Sequence, residues 1–418
     1  MTMRVLIVNT SESKGGAAVA AKRLTQALIN HGVKAKMLVC EKQTDAVYVA
    51  QYGRPWRHRL AFLGERIGIW MNNLFSRKHL FEVSTADWGV DITHTEEFRE
   101  ADIIHLHWVN QGMLSLAGVR KILRSGKPVV WTMHDMWPCT AICHHAHQCN
   151  RFQESCGQCL FLRFPREHDL SYRVFRKKKR VLQEGSLHMV AVSSWLAERA
   201  ATSALLKGRE ITVIPNSLSL ERFRLLNRTD MRSLLHLSSK YIIAFGAARI
   251  DTPIKGFTYL KQALAYMVEH LHYRRDDLTL VLFGGVKDKR LLDDMPTPYI
   301  YMGMVKDEDM LSRIYAAANV LVSSSLYETF GQTLIEAQAC GCVPVSFNNS
   351  GQTDIIVHKK NGYLADYLSV PDLARGIDWG CHAPIERREL RAHVLGRYSE
   401  SKVAGRYSAL YHQILEES

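Results

Sequence analysis

The chain alternates short β-branched and aliphatic runs with longer stretches whose apolar positions recur every three or four residues. VLIVN (5–9) is a predicted strand, and GAAVAAKRLTQALIN (16–30) sets its apolar side chains along one helical face. His31-Gly32 ends that helix, and KAKMLVC (34–40) is the next strand. DIIHLHW (102–108), PVVWTMH (128–134), HMVAVS (188–193) and ITVIP (211–215) continue the series. IPNSLSLERF (214–223) then interrupts it, with Pro215 and Asn216 as breakers. A second series follows: YIIAFGA (241–247), the helical FTYLKQALAYMVEHL (257–271), LTLVLFGG (278–285), YIYMGMV (299–305), VLVSSS (320–325) and VPVSFN (343–348). The last stretch, 389–417, reads as helix.

Strands alternating with helices predict parallel sheets covered by helices on both faces. The expected fold class is therefore α/β, with two doubly wound Rossmann-like domains facing across a cleft. Residues 1–218 form the first expected domain and 219–395 the second, and 396–418 are expected to pack as a helix back on the first. Ligands of such sheets bind outside the carboxyl ends of the strands, which is where chemistry is to be sought.

Composition changes this picture in four places. At 418 residues the chain is too long for one ordinary core. No apolar run reaches the roughly 18 to 20 residues that span a bilayer, and MTMRVLIVNT reads as a first strand, so a cytoplasmic protein is expected. Nine cysteines, five of them between Cys139 and Cys159, are a local cluster and not a disulfide framework. The formal net charge of +13 admits nucleic acid, an anionic membrane or phosphate-bearing substrates as partners. No RNP-like, zinc-finger or helix-turn-helix signature is present, which argues against nucleic acid.

The densest candidate chemistry is in SSSLYETFGQTLIEAQACGCVPV (323–345). A strand ends near Ser324, Glu328 lies in the loop, Phe330-Gly331 turns the chain, and a helix starts at Gln332-Thr333 with Glu336 one turn in. Free N–H groups and the positive dipole end at that helix start suit a pyrophosphate. Gly331 permits close backbone approach. Glu336 is placed to accept hydrogen bonds from a ribose diol and Glu328 from sugar hydroxyls. Across from them AARIDTPIKGF (247–257) brings Arg249 and Lys255, which together neutralise a leaving diphosphate without a metal.

Glu328-x7-Glu336 enclosing Phe330-Gly331 resembles the signature of the retaining glycosyltransferase family 4, whose fold is the two-Rossmann GT-B type. Arg249 and Lys255-Gly256 resemble its diphosphate-binding pair, and IPNS (214–217) its exit from the first domain, with Ser217 in place of the usual Gly. SGQTDII (350–356) departs from the family's Gly-Gly-x-x-Glu at Asp354, and NGYL (361–364) matches the turn after it. The resemblance implies sugar transfer, with retention, from a nucleoside diphosphate sugar (UDP- or GDP-linked) to a glycan or lipid-linked hydroxyl acceptor of polysaccharide synthesis. It implies that His134, after the strand PVVWTMH, contacts the transferred sugar, that Gly15-Gly16 lie over the donor phosphates, and that the chemistry needs no cofactor. A nucleotide-sugar epimerase or a phosphorylase are rival activities on the same fold.

Four segments stand apart. Cys143, Cys149, Cys156 and Cys159 have zinc-ligand spacing, with His144, His145 and His147 interspersed; a structural zinc, reduced buried thiols or labile disulfides each account for them. A similar Cys-rich stretch follows the His-Asp motif in a subset of the resembled family. Residues 54–81 and RVFRKKKRVL (173–182) mix basic and large apolar side chains and suit either the inner face of an anionic membrane or an ordinary core-packed helix. Asp307-Glu308-Asp309 reads as an acidic first helical turn and not as an Asp-x-Asp metal motif. His107 is a candidate for the acceptor side or for the core.

Overall fold

The structure is a computed structural model that describes residues 3–53 and 55–417. Two compact units divide it: residues 1–215 with 403–418, and residues 216–402. The first boundary falls at Pro215/Asn216, where the exit motif breaks the chain, slightly before the expected 218. The return to the first unit comes at Val403, later than the expected 396.

The first unit holds a seven-stranded sheet: β1 (Arg4–Val8), β2 (Lys34–Val39), β3 (Val49–Gln51), β4 (Ile103–Leu106), β5 (Val129–Met133), β6 (Leu187–Ala191) and β7 (Ile211–Val213). Its order is β3-β2-β1-β4-β5-β6-β7, and every pairing is parallel. The order reverses between β1 and β4, so the loops after these two strands diverge and open the ligand edge of the sheet. Val5, Ile7, Met37 and Ile103 pack with Leu24 and Leu28 of the helix Gly16–Asn30 and with Val403, Tyr407, Tyr411 and Ile414 of the terminal helix Glu400–Glu417. Each such buried aliphatic side chain contributes about 1.5–3 kcal/mol.

The terminal helix is fixed by polar contacts as well. The Tyr411 hydroxyl meets His105 Nδ1 at 2.7 Å and the Tyr407 hydroxyl meets Thr132 Oγ1 at 2.8 Å, so neither is buried unpaired. The expected single helix over 389–417 is two helices, Arg387–Tyr398 and Glu400–Glu417. Leu218 N–H donates to Tyr398 O at 2.8 Å and pairs with an extended Ser399, which breaks the run.

The second unit holds a six-stranded sheet: β8 (Tyr241–Arg249), β9 (Leu278–Gly285), β10 (Tyr299–Tyr301), β11 (Val320–Ser323), β12 (Val343–Phe347) and β13 (Tyr363–Ala365). Its order is β10-β9-β8-β11-β12-β13, again all parallel, with the reversal between β8 and β11. Ile243, Phe245, Leu280, Leu282, Val322 and Phe347 make its core with the helices Phe257–His270 and Val370–His382. YIYMGMV is strand only over Tyr299–Tyr301. β3 and β13, three residues each, were too short to show an alternation.

Candidate functional site

In the second unit, Lys255 follows β8 on a short turn, Pro253–Lys255, closed by Gly256 at φ 64°. A Cβ on Gly256 would sit 1.9 Å from Ser324 O, so this turn can press on the end of β11 only with glycine there. Ser324 Oγ donates to Gly256 O at 2.8 Å, and Leu326 N–H donates to Ile254 O at 2.8 Å. The Glu328 loop is tied in turn to the segment after β12. Glu328 N–H donates to Ser350 Oγ at 3.0 Å and Gly351 N–H donates to Glu328 O at 2.8 Å. The ends of β8, β11 and β12 thus form one rim.

On that rim Lys255 Nζ donates to Glu328 Oε2 at 2.7 Å, with both side chains about one quarter exposed. Read along the chain these residues have separate tasks; the fold makes them one ion pair. Arg249 is half exposed and its guanidinium is held by Asp251 at 3.0 Å, an aspartate not singled out beforehand. Hydrogen bonds from Arg249, then from the Lys287 and Asp288 amides, hold the Asp251 carboxyl down at about 2.

The helix Gln332–Ala339 starts at Gly331 (φ 109°), which supplies no side-chain cap, and the N–H groups of a first helical turn lie outside the intrahelical ladder. Glu336 is buried on this helix and its Oε2 accepts from the Tyr315 hydroxyl at 3.0 Å. Phe330 is buried against Tyr398, ring centroids 5.9 Å apart, so its ring is core and only its backbone can face a ligand. Gln352 was overlooked in SGQTDII. It is buried, accepts from Ser323 Oγ at 3.0 Å and donates to Asn349 O at 3.2 Å, locking β11 to the segment after β12. Asp354 ends the same turn, and its backbone O accepts from the Tyr398 hydroxyl. Glu308 and Asp309 form the acidic first turn of the helix Glu308–Ala317, and Asp307 is its N-cap, accepting from Asp309 N–H at 3.1 Å.

In the first unit, His134 follows β5 and its Nε2 meets His107 Nδ1 at 2.8 Å. Burial, opposed by the neighbouring Asp135, pushes His134 down to about 4, and burial also lowers His107. Both rings are neutral near pH 7, so one donates and the other accepts. His107 is buried, as the core reading expects, and its ring is hydrogen-bonded to that of His134. Asp135 accepts from the Trp108 indole at 2.8 Å, from Trp137 N–H at 2.8 Å and from His144 Nδ1 at 2.7 Å. Burial would raise this carboxyl, but His144 and its hydrogen bonds hold it at about 2.

Gly15 (φ 87°) is the N-cap of the helix Gly16–Asn30, which carries no acidic residue in its first turn. Beside it Glu12 is buried, paired with Lys22 at 2.8 Å and bonded by Thr44; no local pattern in the sequence marked it.

Cys143, Cys149, Cys156 and Cys159 are all free thiols. Burial, and then the charge of neighbouring thiols of the set, pushes Cys143, Cys156 and Cys159 up to about 12. The Ala141 N–H bonds the Cys156 sulfur and the Phe161 N–H that of Cys159. Among the described residues no three His, Cys, Asp or Glu side chains are gathered as metal ligands. Buried Lys178 underlies the loop, donating to Trp137 O at 2.8 Å and Thr140 O at 3.0 Å.

Comparison with known proteins accords with this geometry. Residues 14–222 match the family model Glycosyltransferase Family 4, and residues 227–394 match Glycosyl transferases group 1. The D-inositol 3-phosphate glycosyltransferase of Geodermatophilus obscurus is 27% identical over 224 residues, 50% of this chain and 48% of that protein. The capsular polysaccharide biosynthesis glycosyltransferase CapM of Staphylococcus aureus is 21% identical over 62% of this chain and 70% of its own. The match spans about half the length of the first of these relatives. Among solved structures, sucrose-phosphate synthase from Thermosynechococcus elongatus superposes with a TM-score of 0.70 at 19% identity over 100% of both chains. HepE from Anabaena, in complex with UDP and glucose, gives 0.62 at 15% identity over 98% of this chain and 100% of that one. The fold is the GT-B type, built of two Rossmann-like units.

Proposed function

The chain belongs to glycosyltransferase family 4, and we propose that it moves a sugar, with retention, from a nucleoside diphosphate sugar to an acceptor hydroxyl. The observation that carries this reading is the rim of the second unit, where the Lys255–Glu328 pair and Arg249 share the β8–β11 switch point with the helix that bears Glu336. Arg249 and Lys255 neutralise the departing diphosphate, and the N–H groups at Gly331, Gln332 and Thr333 receive its oxygens. Glu336, presented by Tyr315, holds the ribose. Glu328 holds the sugar, so a donor must part it from Lys255 or share both. In the first unit, Gly15-Gly16 and His134 keep the donor-phosphate and sugar roles that the resemblance implies, with His107 fixing the tautomer of His134. Charge stabilisation by fixed cations and positioning supply the rate, with no metal in the chemistry. The UDP of HepE supports a UDP- or GDP-sugar, and the name of CapM supports a glycan or lipid-linked acceptor in polysaccharide assembly.

Thermal-shift screening against nucleoside diphosphates and their sugars tests the reading. One nucleotide should raise Tm selectively, and Glu336→Ala should weaken that ligand about 10- to 100-fold, as expected for losing a hydrogen bond to a charged group. Stabilisation by none of them would refute the donor site.

The same reading includes a structural zinc on Cys143, Cys149, Cys156 and Cys159. The donor set suits it chemically: four reduced thiols, two of which already receive backbone N–H bonds that favour the thiolate. The loop has to draw them inward on binding, since they are not gathered as ligands. Metal analysis of the purified chain should find about one zinc per molecule, lost in Cys156→Ser/Cys159→Ser. Zinc-free protein with unchanged Tm after chelation would end the idea.

A further inference from the structure

The helix Pro55–Asn72 is built inside out. Its buried residues are His58, Ala61, Glu65, Arg66 and Ile69. The polar ones are paired except at Arg66 Nε. Glu65 accepts from Arg66 Nη2 at 2.8 Å and from Ala86 N–H at 2.9 Å, Arg66 donates to Val83 O, and His58 Nε2 meets Gln111 O at 2.9 Å. The outward face carries Trp56, Leu60, Leu63, Ile67 and Met71, each between 51% and 56% exposed. Their spacing of about four residues puts them in one stripe along the helix. Phe75 extends the stripe past its end. A contiguous apolar face of this kind, with polar groups turned inward, is a surface made for contact.

The charges around it choose the partner. The only acidic residue of the helix is the buried Glu65, while Arg57 and Arg59 are exposed. The helix Leu170–Leu182 meets the C-terminal end of this helix, its Arg173 donating to Asn72 Oδ1 at 3.0 Å, and exposes Arg173, Arg176, Lys177, Lys179 and Arg180. Of these Lys177 is paired, with Asp87 at 2.7 Å. A second copy placed on this face by two-fold symmetry would set arginine against arginine. An anionic lipid surface answers both features at once: headgroup phosphates for the basic flank and the acyl boundary for the stripe. No helix among the described residues is long and apolar enough to cross a membrane, so the contact is at the interface.

We propose that the Trp56–Met71 face and the basic flank of the helix Leu170–Leu182 form a docking surface for an anionic phospholipid bilayer. The proposal stands apart from the donor site and does not depend on it.

Flotation of the full chain with phosphatidylcholine vesicles, with and without phosphatidylglycerol, is the test. Binding is expected only to vesicles containing phosphatidylglycerol, falling as salt rises. Leu63→Ser/Ile67→Ser should reduce it at least tenfold, and each of Arg173→Gln and Arg176→Gln about fivefold. Because these side chains point outward, Tm should stay unchanged, which separates lost docking from misfolding. Light scattering should find a monomer. The proposal is overturned if phosphatidylglycerol vesicles are not bound at low salt, or if Leu63→Ser/Ile67→Ser leaves binding intact. A dimer that the same substitutions dissociate would equally overturn it, since the occupant would then be a second copy.

Discussion

Replacing Lys255 by methionine is expected to lower kcat/KM for the donor sugar by about two to three orders of magnitude, the usual cost of removing one preorganised group from a developing negative charge. The stability change should be small, about 1 kcal/mol, because the Lys255–Glu328 pair lies at a partly exposed rim. The pair itself suggests the bland alternative that Lys255 only holds Glu328. A double-mutant cycle with Glu328→Gln decides between them. If Lys255 were a structural partner, the double variant would regain much of the activity lost in Lys255→Met. If both touch the donor, no recovery occurs, and Glu328→Gln alone depresses turnover more than it weakens nucleoside diphosphate binding. Recovery to within a few-fold of the unaltered protein would remove Lys255 from the chemistry.

The second large effect is on stability. Asp135 receives the Trp108 indole, the Trp137 amide and His144 in a buried setting, so Asp135→Ala strands three partners. A loss of about 3 kcal/mol near neutral pH is expected, read by urea unfolding followed on tryptophan fluorescence. The effect has a pH signature. The folded carboxyl titrates at about 2, below its ordinary 3.8, so its contribution is fully present above about pH 4 and is lost as pH falls toward 2. The stability difference between the unaltered protein and Asp135→Asn should therefore narrow across that window. Glu12, held at about 2 by Lys22 and Thr44 against its burial, titrates in the same range, so the difference between the two proteins is the informative quantity. A gap that stays constant down to pH 2 would show that the Asp135 charge is not what stabilises the loop.

The two predictions differ in how legible their residues were. Lys255 and Glu328 each sit on the loop after a strand, and Glu336 lies in the helix that follows the second loop, so local spacing along the chain singles them out as candidates. Asp135 was visible only as the neighbour of His134. Its partner His144 lay unassigned among the histidines of the cysteine loop, and its partner Trp108 follows a different strand. Gln352 was missed for the same reason, since its partners Ser323 and Ser346 come from other segments; Asp251 has a local partner in Arg249, but its bond from the Lys287 amide is long-range. The helix Pro55–Asn72 is the sharpest case. Its pattern reads equally as a core helix, and the tertiary contacts reversed which face is buried. A carboxylate and a guanidinium that find backbone partners are cheap to bury, and the apolar stripe then has to face outward.

By itself the sequence determined the two parallel-sheet units, the break at Pro215 and Asn216, and the βα turns that carry Arg249, Lys255, Glu328 and Glu336. These follow from period, turn chemistry and residues a few positions apart, all of which are local. Only the tertiary structure decided that Lys255 and Glu328 are one pair, that His107 orients His134, that Asp135 anchors the cysteine loop, and that the terminal helix returns to lie on Thr132 and His105. Each of these joins residues on different strands or loops. Strand order and register set such distances, and no short stretch of sequence encodes them.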